Sequence, residues 1–261
     1  MDIPGSVTVI TGAASGIGAA AARAFAQRGG RLVLADAREE PLRVVAEELS
    51  ATGAEVAWQV TDVTREQQVV AVMELATSRF GAINVVLPCA GIFRDAFTVR
   101  VKDGKVVRTM SAADFRDVID VNLTGTFLTV REAAARMIDG GHGGVLFTVS
   151  SINKEGELGQ INYAATKAAL ALWPKLLAGE LHAQGVHGIR VVGIAPGYVE
   201  TPILEGMRPD ALQRVLDGVP IGRLLKADEI VALMMHVVEN EAIHATTLEI
   251  AGGAIATGMP K

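Results

Sequence analysis

Along the first third of the chain, short β-branched, apolar runs alternate with longer stretches whose apolar residues recur every three or four positions. SVTVITG (6–12) reads as a strand, and GIGAAAARAFAQRG (16–29) as an Ala-rich helix ending at glycine. RLVLAD (31–36) is strand-like, REEPLRVVAEELSATG (38–53) helical, and AEVAWQVTDV (54–63) strand-like again. REQQVVAVMELATSRFG (65–81) has helical spacing and a glycine stop, and INVVLPCAG (83–91) is a fourth strand. Strands alternating with helices of this length predict βαβ units and a doubly wound α/β fold, with helices on both faces of a parallel sheet. Strand runs that are apolar throughout agree, because such strands are covered on both sides.

The pattern breaks at FTVRVKDGKVVRT (97–109), where apolar and polar residues alternate about Asp103-Gly104. This predicts a small inserted β-hairpin with a type I′ turn. A long helix is predicted over 111–138, with Ser111 as N-cap and Asp114 reaching back in a capping-box-like arrangement. GGVLFTVSS (143–151) is a fifth strand, 160–184 a second long helix, GIRVVGIAPG (188–197) a sixth strand, and ATTLEIAGG (245–253) the last. Pro174 falls inside the 160–184 helix and is expected to kink it by removing a backbone hydrogen bond. Residues 200–225 read as irregular with short helical pieces, and 227–238 as a helix. With no linker, repeat or low-complexity tract, residues 1–261 read as one domain with a sheet of about seven strands.

Composition narrows the function classes. Half of the 261 residues are hydrophobic, so a sizeable core is available. The net charge of −5 and the lack of a basic run argue against nucleic acid as a partner, since such binding needs clustered Lys and Arg. Cys89 is the only cysteine, which rules out an internal disulfide and suits a reducing compartment. The five histidines show no zinc-binding spacing, so no metal is expected. No apolar run approaches the ~20 residues needed to cross a bilayer, and no signal peptide is read at the start. These features predict a cytoplasmic protein with no membrane or nucleic-acid partner.

Two stretches carry chemistry. TGAASGIG (11–18) joins the first strand to the first helix. Gly12 suits a tight turn, Gly16 a close backbone approach to an anion, and Gly18 close packing of helix on strand, with Ser15 and Ile17 between them. The helix start then offers free N–H groups and a positive dipole end to a pyrophosphate. Asp36 ends the second strand, where a carboxylate can accept both hydroxyls of an adenosine ribose and would repel a 2′-phosphate. NAD(H) is therefore expected over NADP(H), although Arg38 stands close enough to accommodate a phosphate. The second stretch is GQINYAATKAAL (159–170), which holds one of only two tyrosines. Tyr163 and Lys167 lie one turn apart on a helix face. A nearby ammonium is expected to lower the phenol's high pKa toward one useful for proton exchange. A hydroxyl such as that of Ser150 can then orient a substrate oxygen beside it.

Taken together, these motifs resemble the short-chain dehydrogenases/reductases over essentially the whole chain. The T-G-x-x-x-G-x-G spacing is theirs, and so are DV (62–63), AG (90–91), VN (121–122), SS (150–151), NYAATK (162–167) and PGYVET (196–201). The resemblance implies a catalytic set of Asn122, Ser150, Tyr163 and Lys167, with Tyr163 thirteen residues after Ser150 as in the family. It implies that Asn122 interrupts its helix and holds a water linked to the lysine. Asp62 and Val63 are implied at the adenine edge, and Ala90, Gly91, Pro196, Gly197, Val199 and Thr201 along the cofactor. Residues 202–217 resemble the family's mobile lid, and the two long helices resemble those that pair in its dimers and tetramers, so a homo-oligomer is expected. The reaction implied is reversible hydride transfer between a nicotinamide cofactor and a small-molecule alcohol or carbonyl.

The chain departs from the family where PCAG (88–91) replaces N-N-A-G and IAGG (250–253) replaces V-D-G-G. Cys89 thereby replaces an asparagine that ties neighbouring strands, and a structural thiol is a simpler expectation for it than a nucleophile. The G-Q-x-N-Y pattern resembles the 3-oxoacyl-ACP and acetoacetyl-CoA reductase branch. Asp36 argues against the NADPH those reductases generally use, and an NAD-linked 3-hydroxyacyl or other secondary-alcohol dehydrogenase reconciles the two. A sugar or polyol dehydrogenase is the alternative within the class, and a non-catalytic NAD(H)-sensing protein the alternative outside it. Arg94 and Lys154 follow strand ends and are expected to meet an anionic substrate group or to be solvated loop charges.

Overall fold

Seven strands form one sheet in the order β3-β2-β1-β4-β7-β8-β9, and every neighbouring pair is parallel. This is a computed structural model, and it describes residues 1–200 and 209–254. The strands are β1 (Val7–Thr11), β2 (Arg31–Asp36), β3 (Val56–Val60), β4 (Val85–Pro88), β7 (Gly144–Val149), β8 (Ile189–Pro196) and β9 (Thr246–Ile250). β5 (Val99–Lys102) and β6 (Lys105–Thr109) form a separate antiparallel hairpin. The helices are α1 (Gly16–Gln27), α2 (Glu39–Ala51), α3 (Glu66–Phe80), α4 (Ala112–Val118), α5 (Gly125–Asp139), α6 (Ile161–Ala183), α7 (Pro209–Asp217) and α8 (Ala227–Glu239). From β1 the chain winds outward to β3, then returns to β4 on the other side of β1. That reversal opens a crevice at the carboxyl ends of β1 and β4, where ligands bind in such sheets.

Alternate strand residues feed two cores. Ile10, Leu34, Leu87, Phe147 and Ile194 face a layer that includes Phe25 of α1 and Met234 and Val237 of α8. Val9, Val33, Val86, Leu146 and Val191 face the opposite layer, with Val72 and Met73 of α3 and Met137 of α5. The continuous apolar runs in the sequence are accounted for by this burial on both faces. The predicted hairpin is present, and Asp103 and Gly104 take the positive φ values (51° and 71°) that a type I′ turn requires.

One element differs from its sequence reading in an instructive way. The helix expected over 111–138 is divided into α4, a π-helical turn at Ile119–Thr124, and α5. The wide turn holds Asn122, whose amide leaves the helix to bond the chain after β4. Its start is capped as expected: Ser111 Oγ accepts the Asp114 N–H at 2.9 Å. The Asp114 carboxylate takes the serine's own hydroxyl proton, at 2.7 Å.

Pro174 lies inside α6, as the sequence reading has it, and the helix runs through it. Proline lacks the N–H that would reach the Leu170 carbonyl, and the buried Thr148 hydroxyl of β7 donates to that carbonyl at 2.9 Å instead. The next carbonyl, Ala171, receives the Thr247 hydroxyl of β9 at 2.7 Å. The sheet thus supplies the donors that the helix lacks.

Candidate active site

The glycine-rich turn between β1 and α1 is built for close approach. Gly12 has φ +67°, and a Cβ there would lie 2.6 Å from the Ala90 nitrogen. A Cβ at Gly18 would lie 2.2 Å from the Gly12 carbonyl oxygen, so the helix packs against the turn with no room for a side chain. Gly16, by contrast, opens onto free space with nothing within 4 Å of its ideal Cβ. Ser15 at the helix N-cap makes no capping bond to the first-turn N–H groups, and Ile17 packs partly buried against the core. The turn therefore has a rigid floor, an open lip and unused amide donors, which fits a pyrophosphate.

Asp36 is buried at the end of β2. One carboxylate oxygen accepts the Ala14 N–H at 3.1 Å, and the other accepts the backbone and Nε hydrogens of Arg38 at 3.0 and 3.2 Å. Arg38 also reaches Ser15 Oγ at 2.8 Å, so the arginine beside the expected ribose site is tethered to both the carboxylate and the loop. Asp62 lies at the next strand end, where its Oδ1 accepts the N–H and hydroxyl of Thr64 at 3.0 and 2.7 Å. Val63 is buried against Gly125, the first residue of α5. Ala90 and Gly91 follow β4 directly above Gly12. Pro196 and Gly197 close β8, with the Gly197 N–H bonded to the Ile250 carbonyl at 2.9 Å. Val199 is buried just beyond. Thr201, together with residues 202–208 of the expected lid, lies outside the described residues.

Tyr163 and Lys167 project from the first turns of α6 into the same buried space, with Lys167 Nζ 5.2 Å from the phenol ring centroid. Phe93 stacks on the other side of that ring, centroids 4.5 Å apart and planes 27° from parallel. The ammonium donates to the Val149 carbonyl at 2.7 Å. The electrostatics differ from the sequence reading. Burial pushes the phenol above its ordinary range, and the negative charge of Asp95 adds to the rise. Burial also drives the lysine down to about 8, which weakens it as a source of positive charge. Desolvation, which spacing cannot reveal, outweighs the neighbouring ammonium.

The serine beside the phenol is Ser151, one residue beyond the expected Ser150. The Ser151 hydroxyl lies close enough to the Tyr163 phenol to oppose the rise in its pKa. Ser150 turns the other way and donates its hydroxyl to the Lys167 backbone carbonyl at 2.6 Å. Asn122 makes a two-point amide contact with Ile92, donating to its carbonyl at 3.0 Å and accepting its N–H at 2.8 Å. It is brought to the site's edge through the loop after β4. Sequence reasoning missed Phe93, Asp95 and a polar chain leading away from Ser151. Ser151 Oγ accepts the Asn153 N–H at 3.1 Å, Asn153 Nδ2 donates to Gln160 at 3.0 Å, and Gln160 Nε2 donates to Asp95 at 2.8 Å.

Three other sequence expectations resolve clearly. Lys154 is bound by two carboxylates, Glu155 and Glu249, at 2.5 and 2.7 Å, so it does not stand free for an anionic substrate. Arg94 folds onto its neighbour, donating to the Phe93 carbonyl at 2.9 Å. Cys89 is packed against the core, and burial raises its thiol to about 12, which leaves almost no thiolate for nucleophilic chemistry. Its backbone N–H still ties β4 to β1 through the Thr11 carbonyl at 3.0 Å, so the replaced asparagine costs no ladder bond here.

A parallel sheet with this crevice, glycine turn and Ser-Tyr-Lys cluster defines a nucleotide-dependent oxidoreductase fold. The family model described as short chain dehydrogenase matches residues 6–212, and the chain belongs to that family of nicotinamide-dependent oxidoreductases. It is 34% identical over 261 residues to a 3-oxoacyl-[acyl-carrier-protein] reductase FabG of Thermotoga maritima, covering 98% of this chain and 100% of that one. It is 33% identical to the cis-4-hydroxycyclohexanecarboxylate dehydrogenase of Sinomonas cyclohexanicum, covering 95% of each chain. The crystal structure of gox2181 superposes with a TM-score of 0.86 at 24% identity, over 97% of this chain and 96% of that one, and supports the fold alone.

Proposed function

We propose that the protein interconverts a secondary alcohol and a ketone, with Tyr163, Ser151, Lys167 and Asn122 as its working set and NAD(H) as the preferred cofactor. The reading rests on one observation above all: a buried phenol has the Ser151 hydroxyl beside it and is flanked by a buried ammonium. A bound nicotinamide would supply or accept the hydride at the substrate carbon. On alcohol oxidation Tyr163, as its phenolate, takes the hydroxyl proton, and on ketone reduction the neutral phenol gives its proton to the carbonyl oxygen. Ser151 holds that oxygen in place and stabilises its developing charge. Lys167, poised near neutrality, exchanges protons with the phenol side of the site. Asn122 positions the loop carrying Phe93, which walls the ring.

The cofactor preference follows from Asp36, a carboxylate at the ribose end of β2 that also engages Arg38. The Gly12–Gly18 turn would hold the pyrophosphate. A 3-oxoacyl-type or related small substrate is supported by the FabG relative and by the Gly159-Gln160 signature before Tyr163. A homo-oligomer is supported by apolar residues left exposed on α5 and α6, among them Phe127, Leu172 and Leu176. Oxidation and reduction of a panel of secondary alcohols, ketones and 3-oxoacyl thioesters with NAD(H) and NADP(H) tests this directly. The wild-type protein is expected to turn over with NAD(H), and Tyr163→Phe to lose at least about a thousandfold in kcat while still binding NADH. Cofactor binding without turnover on any substrate would favour the sensor reading.

A further inference from the structure

The β5–β6 hairpin is an amphipathic two-stranded ribbon with no partner strand among the described residues. Cross-strand neighbours share a face. Arg100 pairs with Arg108 and Lys102 with Lys105, so one face is basic, while Val99, Val101 and Val106 occupy the other. The ribbon carries four cations against one acid, Asp103, in a chain whose net charge is −5. Two like-charged guanidiniums placed directly opposite each other destabilise a bare hairpin. Neither arginine forms an ion pair among the described residues.

Both arginines line a cavity of about 270 Å³, whose other walls are Asp95, Ala96, Phe97, Leu158 and Gly159. Asp95 and Gly159 tie the cavity to the surroundings of Tyr163. Asp95, in its wall, is the carboxylate whose charge is felt by Tyr163, and the chain Ser151–Asn153–Gln160–Asp95 links the two without a break. The Ala96 N–H bonds the Gly159 carbonyl at 2.9 Å, which fixes the cavity floor to the start of α6. Asp95 itself is turned toward the Gln160 amide. The cavity therefore combines two arginines with apolar sides, one end of the polar chain from Ser151 lying in its wall.

We propose that Arg100 and Arg108 form an anchor for an anionic group on the substrate, a carboxylate or a phosphate borne a short apolar distance from the carbonyl. This rests on the oxidoreductase reading and adds to it the substrate class. Guanidinium pairs match the planar carboxylate and the phosphate oxygens alike. The apolar sides formed by Phe97 and Leu158 suit the intervening carbons.

The test uses matched pairs that differ only in charge. One pair is a 3-oxo acid and its methyl ester; the other is a 3-oxoacyl thioester of pantetheine 4′-phosphate and the same thioester of pantetheine. In the wild-type protein at least one anionic member should exceed its neutral partner in kcat/KM by about tenfold or more, mainly through KM. The pair that shows the preference identifies the source of the anion. In Arg100→Gln/Arg108→Gln the ratio should fall to within about twofold of unity. It should persist in Lys102→Gln/Lys105→Gln, which removes the same charge from outside the cavity. Equal rates within both pairs, or a preference unchanged in the double arginine variant, would overturn the proposal while leaving the oxidoreductase intact. If no substrate turns over, titration of pantetheine 4′-phosphate and 3-hydroxybutyrate onto the cofactor-saturated protein decides the anchor alone. Weaker binding in the arginine variant supports it, and identical or absent binding overturns it.

Discussion

Replacing Ser150 and Ser151 one at a time separates two roles that neighbouring hydroxyls play. Ser150 donates to the Lys167 carbonyl from a site only 2% exposed. That carbonyl lies within α6 and keeps its helical partner, so Ser150→Ala removes one net buried hydrogen bond, worth about 1 kcal/mol. In a chain of this size such a loss lowers Tm by roughly 2–4 °C. Its kcat should stay within about fivefold of wild type, since no reacting atom loses a partner. Ser151 places its hydroxyl beside the Tyr163 phenol. Ser151→Ala removes a donor from the oxygen whose charge changes, and such losses cost roughly 10²–10³ in kcat, or about 3–4 kcal/mol of barrier. Its Tm should move by no more than that of Ser150→Ala. Steady-state rates at saturating cofactor, paired with thermal unfolding of each variant, read both quantities. A large kcat loss in Ser150→Ala at unchanged Tm, with Ser151→Ala near wild type, would refute the assignment.

Two further predictions follow from buried groups. Lys167 sits near 8, below its ordinary 10.5, so the rate of alcohol oxidation should climb as pH passes about 8 and ketone reduction should fall. In the same window the unfolded chain binds more protons than the folded one, so stability should rise with pH between those two values. A flat oxidation profile, or stability falling through that window, would contradict the placement of this lysine. Thr148→Val keeps the volume but strands the Leu170 carbonyl that Pro174 cannot serve, at an expected cost of about 1–3 kcal/mol by chemical denaturation. In a Pro174→Ala background the helix regains its own donor and the cost should drop by about 1 kcal/mol; strict additivity would show the two residues to be uncoupled.

Much of this molecule was legible before its coordinates. The strand and helix alternation to Gly91 follows from burial on both faces, and the hairpin from Asp103-Gly104. The glycine turn and the Tyr163–Lys167 pair could be read because local spacing alone decides them. Ser151 was missed because counting back thirteen residues from Tyr163 ignores strand alternation. Thr148 and Ser150 both bond backbone carbonyls of α6, at Leu170 and Lys167, which leaves the next side chain, Ser151, to face the Tyr163 phenol rather than the helix backbone. The direction of the Tyr163 shift was missed because desolvation depends on what covers a group, and Phe93 comes from 70 residues away in sequence. The pairing of Lys154 with Glu249 is likewise a long-range fact, with no local trace.

The two footings of the β5–β6 ribbon carry an engineering consequence. On one side Ile92 is stapled to Asn122, and on the other Ser111 starts α4 with its own cap. The ribbon itself, Val99–Thr109, lies beyond Phe93 and Asp95 and, among the described residues, pairs with no strand of the parallel sheet. It is an exchangeable cassette. Ribbons of different length or charge can be grafted there to retune which molecules are accepted while the redox machinery beneath is left alone.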